Sequence, residues 1–143
     1  MIKLIGLLIL LGPCIYTDVR RRELPVIYIG TFGLLSVIAN LLFQWTKPLD
    51  MLLGAAVGLI LFAGSFFSKG AIGAGDGILM AVIGIWCGAA LAIPILMIAV
   101  LSAAVIGGIT AFRRRQNWKM QLPFAPFLGF AGVVQCVIGI VQK

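Results

Sequence analysis

Residues 77–112 form a run of 36 residues without a single charged side chain. As one helix this run would be about 54 Å long, nearly twice the roughly 30 Å hydrocarbon thickness of a bilayer. Two apolar spans joined by a tight, uncharged turn near Gly88 to Pro94 fit it better. The rest of the chain repeats the pattern, with apolar segments at residues 2–17, 26–44, 49–67, 77–90, 91–112 and 122–142 broken by charged or turn-forming residues. The chain is 62% hydrophobic and 10% charged, against about 25% charged in a soluble domain. These features predict an all-α polytopic membrane protein of about six transmembrane helices, one domain over residues 1–143, with the lipid bilayer as its solvent. Lys3 ahead of the first apolar run gives it a signal-peptide look. However, the stronger basic cluster follows the run and no small-residue cleavage site closes it, so it reads as a retained first helix.

A net charge of +7 on a soluble chain would raise nucleic acid as a partner. Here the cations sit in short connectors, where topology-setting charges belong, and nucleic-acid binding is not expected. Connectors one, three and five hold Arg20, Arg21, Arg22, Lys69, Arg113, Arg114, Arg115 and Lys119, and the other side holds Lys3, Lys47 and Lys143. The excess predicts that the odd connectors are cytoplasmic and both termini outside. Gly54-xxx-Gly58 and Gly84-xxx-Gly88 are spaced for close helix packing.

Few residues can do chemistry. There is no histidine, so triads that need an imidazole are unavailable. Cys14, Cys87 and Cys136 lie in apolar stretches without CxxC spacing, so neither a zinc site nor a disulfide framework is expected, and no cofactor. The acids are Asp18, Glu23, Asp50 and Asp76. Asp18 follows the first apolar segment and Asp76 leads into the fourth, so alternation across the membrane brings both to one face although they are 58 residues apart. Asp50 belongs to the opposite face.

Two neighbouring carboxylates do not both ionise cheaply, so such a pair keeps a shared proton. One member then takes a proton from water attacking a peptide carbonyl while the other donates to the oxyanion, with neither metal nor histidine. Gly73, Gly75 and Gly77 would allow unusual backbone angles and close approach of an extended substrate strand. Blander roles stand beside these. Asp76 can cap the fourth helix, Asp18 can be an interfacial acid neutralised by Arg20 to Arg22, and Glu23 can be a solvated or salt-bridged charge or a substrate contact. Other functions compatible with the composition are a small ion or solute transporter and a non-enzymatic membrane scaffold.

Three segments together resemble the type IV prepilin peptidases, membrane aspartyl proteases with a Gly-x-Gly-Asp motif. Asp18-Val-Arg-Arg-Arg-Glu-Leu-Pro25 is similar to that family's Asp-x-Arg-x-x-x-Ile-Pro element. Gly73-Ala-Gly75-Asp76-Gly-Ile-Leu79 with Gly84 resembles its second aspartate motif, and Leu122-Pro123-Phe-Ala-Pro126-Phe-Leu128-Gly129 its Pro-Phe-x-Pro segment. The resemblance implies Asp18 and Asp76 as the catalytic pair, with Pro123 and Pro126 in a possible substrate-lining segment. It also implies a bacterial inner-membrane location and cytoplasmic-side cleavage of the basic leader from a type IV pilin-like precursor. Many members carry lysine where this chain has Ile78. Longer members begin with a cysteine-rich, zinc-binding region associated with N-methyltransferase activity, whereas this sequence starts at the core, so peptidase activity alone is expected.

Overall fold

The computed structural model describes residues 2–21, 23–67, 73–114 and 124–141. Among them are six helices: α1 (Ile2–Arg21), α2 (Val26–Phe43), α3 (Pro48–Phe67), α4 (Ala74–Cys87), α5 (Ala89–Arg114) and α6 (Ala125–Val141). Among the described residues there is no β-strand, and the protein is an all-α membrane protein. Three stretches, Val26–Phe43, Pro48–Phe67 and Ala89–Thr110, are long and apolar enough to cross a bilayer, and Ala74–Cys87 and Ala125–Gln135 are shorter apolar helices.

α4 is the hub, packed against α1, α2, α3 and α5, while α6 closes the bundle against α1 and α5. Its Leu79, Met80, Ile83 and Trp86 join Leu7, Leu10, Leu11 and Cys14 of α1 and Ile29 of α2 in the core. Large apolar residues such as Ile60, Leu42 and Phe67 point outward and are exposed. So much exposed apolar surface would be prohibitive in water and is what a lipid-facing surface requires.

Small residues let α3 and α4 touch backbone to backbone. A β-carbon at Gly77 would overlap the backbone of Phe62, one at Gly58 the backbone of Ala81, and one at Gly54 or Gly84 the backbone of the other. Phe62, Gly58 and Gly54 descend α3 in steps of four while Gly77, Ala81 and Gly84 ascend α4, so the two helices run antiparallel in one register. Of the two spaced glycine pairs, Gly54 and Gly84 thus meet each other, while Gly58 meets Ala81. Close backbone approach replaces the hydrophobic drive that is missing between helices in lipid.

The register ends at Gly88, against Asp50 and Thr46. Here the long apolar run breaks: Gly88 has φ +86°, a region in which side chains other than glycine are strained. The break falls at Gly88 itself, and Pro94 lies inside α5, so the turn expected across Gly88 to Pro94 is confined to its first residue. Ala90 N–H donates to Asp50 Oδ1 at 3.3 Å, and the carboxylate meets the positive end of α5. Gly88→Ala is expected to lower bundle stability by about 1–3 kcal/mol, from backbone strain and the overlap with Asp50. The midpoint of a denaturant titration in detergent checks this.

α1 contains Pro13, which has no N–H to offer the carbonyl of Ile9. Tyr28 of α2 donates its hydroxyl to that carbonyl at 2.6 Å. At the far end of α1, Trp86 Nε1 donates to the Lys3 carbonyl at 2.8 Å and Lys3 Nζ to the Cys87 carbonyl at 3.4 Å. The start of α1 therefore lies beside the end of α4, and the end of α1 beside the start of α4.

Candidate active site

The core stripe of α1 ends in an acid. Leu7, Leu11, Cys14 and Asp18 follow at helical spacing, so all four face inward, and Asp18 is only 7% exposed while Val19 and Arg20 on either side of the stripe are exposed. Asp18 does not follow the helix, as the apolar segment 2–17 implied. It is part of α1, which continues to Arg21. The hydropathy change marks where apolar side chains stop, whereas the backbone hydrogen bonds of the helix continue.

The start of α6 packs against this end of α1. Gly129 leaves room for Ile15, and Gly132 for Leu7 and Leu11. This approach lets Ala125 N–H donate to Asp18 Oδ2 at 2.9 Å, across 107 residues of sequence.

Asp76 is in the first turn of α4, whose N-cap is Gly73. It is therefore not the cap that an aspartate at a helix start suggests. Instead its carboxylate accepts the backbone N–H of Gly73, and its own N–H donates to the Gly73 carbonyl at 3.1 Å. This is the return half of a capping box without the usual cap side chain. Asp76 and Asp18 are close enough for their carboxylates to repel each other.

The neighbouring glycines are explained by crowding. Gly73 is extended, with φ −69° and ψ 128°, and among the described residues the only positive-φ glycine is Gly88. The unusual backbone angles expected of Gly73, Gly75 and Gly77 are therefore not their reason. A β-carbon at Gly73 would lie 2.7 Å from Asp76 Oδ2, one at Gly75 would lie 2.9 Å from Leu24 Cδ1, and one at Gly77 would overlap Phe62. Each glycine admits another part of this same chain.

Asp18 and Asp76 line one open cavity of about 350 Å³, with Glu23, Leu24, Val26, Gly73 and Gly75. Three of the four acids in the chain thus share one cavity, and Asp50 lies at the other end of α4. Glu23 is exposed on its wall. Gly77 is not on the cavity wall, because it faces α3, nor is Pro126, the second residue of α6. Pro123 lies outside the described residues. No cluster of three or more His, Cys, Asp or Glu suited to a metal ion occurs among the described residues. Two features of this end went unread in the sequence. The α1 periodicity would have revealed the inward face of Asp18, but the Ala125 N–H has no side-chain signature.

A model of the type IV leader peptidase family matches residues 5–111. The chain belongs to that family. The matched stretch contains both Asp18 and Asp76 and stops before α6. The chain is 36% identical over 127 residues to a prepilin leader peptidase/N-methyltransferase of Xanthomonas campestris pv. campestris, covering 82% of this chain and 43% of that protein. It is 34% identical over 68 residues to proteins of the same description from two strains of Burkholderia pseudomallei, covering 48% of this chain and 22% of theirs. This leader peptidase family member thus spans less than half the length of those relatives. No solved structure matches it.

Proposed function

We propose that this chain is a membrane aspartyl endopeptidase that removes the leader from type IV pilin-like precursors, using Asp18 and Asp76 as its catalytic pair. The observation that carries this reading is the shared cavity: two carboxylates from distant parts of a leader peptidase family member face one space and repel each other.

With one proton between them, the ionised aspartate accepts a proton from water as the water oxygen bonds to the scissile carbonyl carbon. The protonated aspartate gives its proton to the carbonyl oxygen, and a tetrahedral diol results. Collapse of the diol returns a proton to the leaving nitrogen as the C–N bond breaks, and the pair regains its starting state. The cavity is open, and Glu23 on its wall offers a negative contact for a basic leader. The basic residues after Asp18 support a cytoplasmic position for this end of the bundle, and the proposal takes both termini to be outside and the chain to be one peptidase domain of the bacterial inner membrane.

Leader removal tests the proposal directly. The purified protein in nanodiscs, incubated with pilin-like precursors from the same genome, is expected to release a short basic peptide and leave the mature protein, both identified by mass. Intact precursors in every case, with the protein folded, would overturn it.

A further inference from the structure

The start of α6 is built so that one backbone donor is left for Asp18. An α-helix begins with N–H groups that no carbonyl of its own reaches, and a side chain at the N-cap usually accepts one of them. In α6 the residue before the helix is Phe124, which has no acceptor in its side chain. Phe127 and Leu128 N–H groups donate to the Phe124 carbonyl at 3.0 and 3.2 Å, and Pro126 has no N–H. Among residues 125–128 this leaves Ala125 N–H, which meets Asp18 Oδ2 at 2.9 Å in a buried contact. The Asp18 carboxylate therefore caps the start of α6 from another helix.

We infer that the Phe124–Ala125–Pro126 turn is a positioning element for the reaction: Ala125 N–H holds one oxygen of Asp18 and orients the other toward the water. This rests on the reading of Asp18 as catalytic. One consequence separates this role from helix capping alone. A carboxylate held at one oxygen by a helix N-terminus is aligned before substrate arrives, so losing the donor should lower turnover and leave substrate binding alone.

The test is an amide-to-ester exchange at position 125, with lactic acid replacing alanine, which removes the N–H without adding bulk. The expected result is a fall in kcat of about 10- to 100-fold, the range for a lost hydrogen bond to a charged group, with KM unchanged. The same exchange at Phe127, which loses a bond to the Phe124 carbonyl within α6, is expected to cost stability and spare kcat. Wild-type kcat with the ester at 125, or equal kcat losses for both esters, would overturn the inference. A second measurement needs no activity. In protein selectively labelled with 15N-alanine, the Ala125 amide is expected to exchange with solvent about tenfold faster in Asp18→Ala than in wild type, with alanines deeper in the bundle unchanged. Equal exchange would overturn the contact itself, whereas an inactive wild type with a protected Ala125 amide would count against the peptidase reading and not against the cap.

Discussion

Asp18→Asn and Asp76→Asn are each expected to reduce leader removal by on the order of 10²–10⁴-fold, the span of positioned acid–base catalysis, while the bundle stays folded. Asparagine keeps the shape and a carbonyl oxygen but has no proton that titrates. In Asp18→Asn that oxygen can still accept Ala125 N–H, and in Asp76→Asn it can still accept Gly73 N–H. Chemistry is removed and both backbone hydrogen bonds are retained. Asp18→Ala removes the cap as well and is expected to cost about 1–2 kcal/mol of stability in addition. On the proposed mechanism the two carboxylates act on one water and one carbonyl, so the double asparagine variant should be little worse than either single variant. Rates of precursor processing followed by mass, beside unfolding midpoints in detergent, check all four expectations. Normal cleavage by either asparagine variant would remove that residue from the pair.

The largest structural effect is expected from Gly58→Leu. The first carbon of any side chain at this position falls on the backbone of Ala81, and backbone in the middle of a helix has no rotamer through which to yield. Overpacking of a core costs about 1–3 kcal/mol where side chains can adjust, so a loss of ~3 kcal/mol or more is expected where they cannot. Gly64→Leu on the same helix is the matched control. A β-carbon there meets nothing within 4 Å, and the added apolar group is expected to be nearly neutral. Size-exclusion profiles and denaturation midpoints distinguish the two. A stable, monodisperse Gly58→Leu protein would show that α3 and α4 do not need to touch. Because Asp76 sits in the first turn of α4, parting these helices should also displace one wall of the cavity.

The helices were legible in the sequence because lipid is an exacting solvent: a segment with no charges that long has no alternative but a helix. Five of the six apolar segments begin within three residues of the helices found, and the sixth begins where the first two residues, 122 and 123, lie outside the described ones. The ends were less legible, for a reason visible at Asp18 and Asp76. Hydropathy reports where side chains stop being apolar, and both aspartates lie in helical turns beyond that point. The convergence of Asp18 and Asp76 on one cavity could be reasoned from alternation alone. The causes of the glycine pattern could not. Gly73, Gly75 and Gly77 look alike in sequence, yet one makes room for a carboxylate, one for Leu24 and one for the backbone of α3. Such differences depend on which remote segment arrives next to each, and a local pattern does not encode it. The Asp50 contact with Ala90 at the opposite end escaped for the same reason.

The hydrogen bond between Asp18 and Ala125 joins the first helix to the last across 107 residues, whereas the α3–α4 seam joins neighbours such as Gly58 and Ala81. Chains are made from the N-terminus onward, so the ribosome delivers both aspartates well before the amide that holds one of them. A chain halted after α5 would carry both acids with Asp18 unanchored. On the proposed reading of Asp18 as catalytic, the pair would gain its anchor only when α6 enters the bundle.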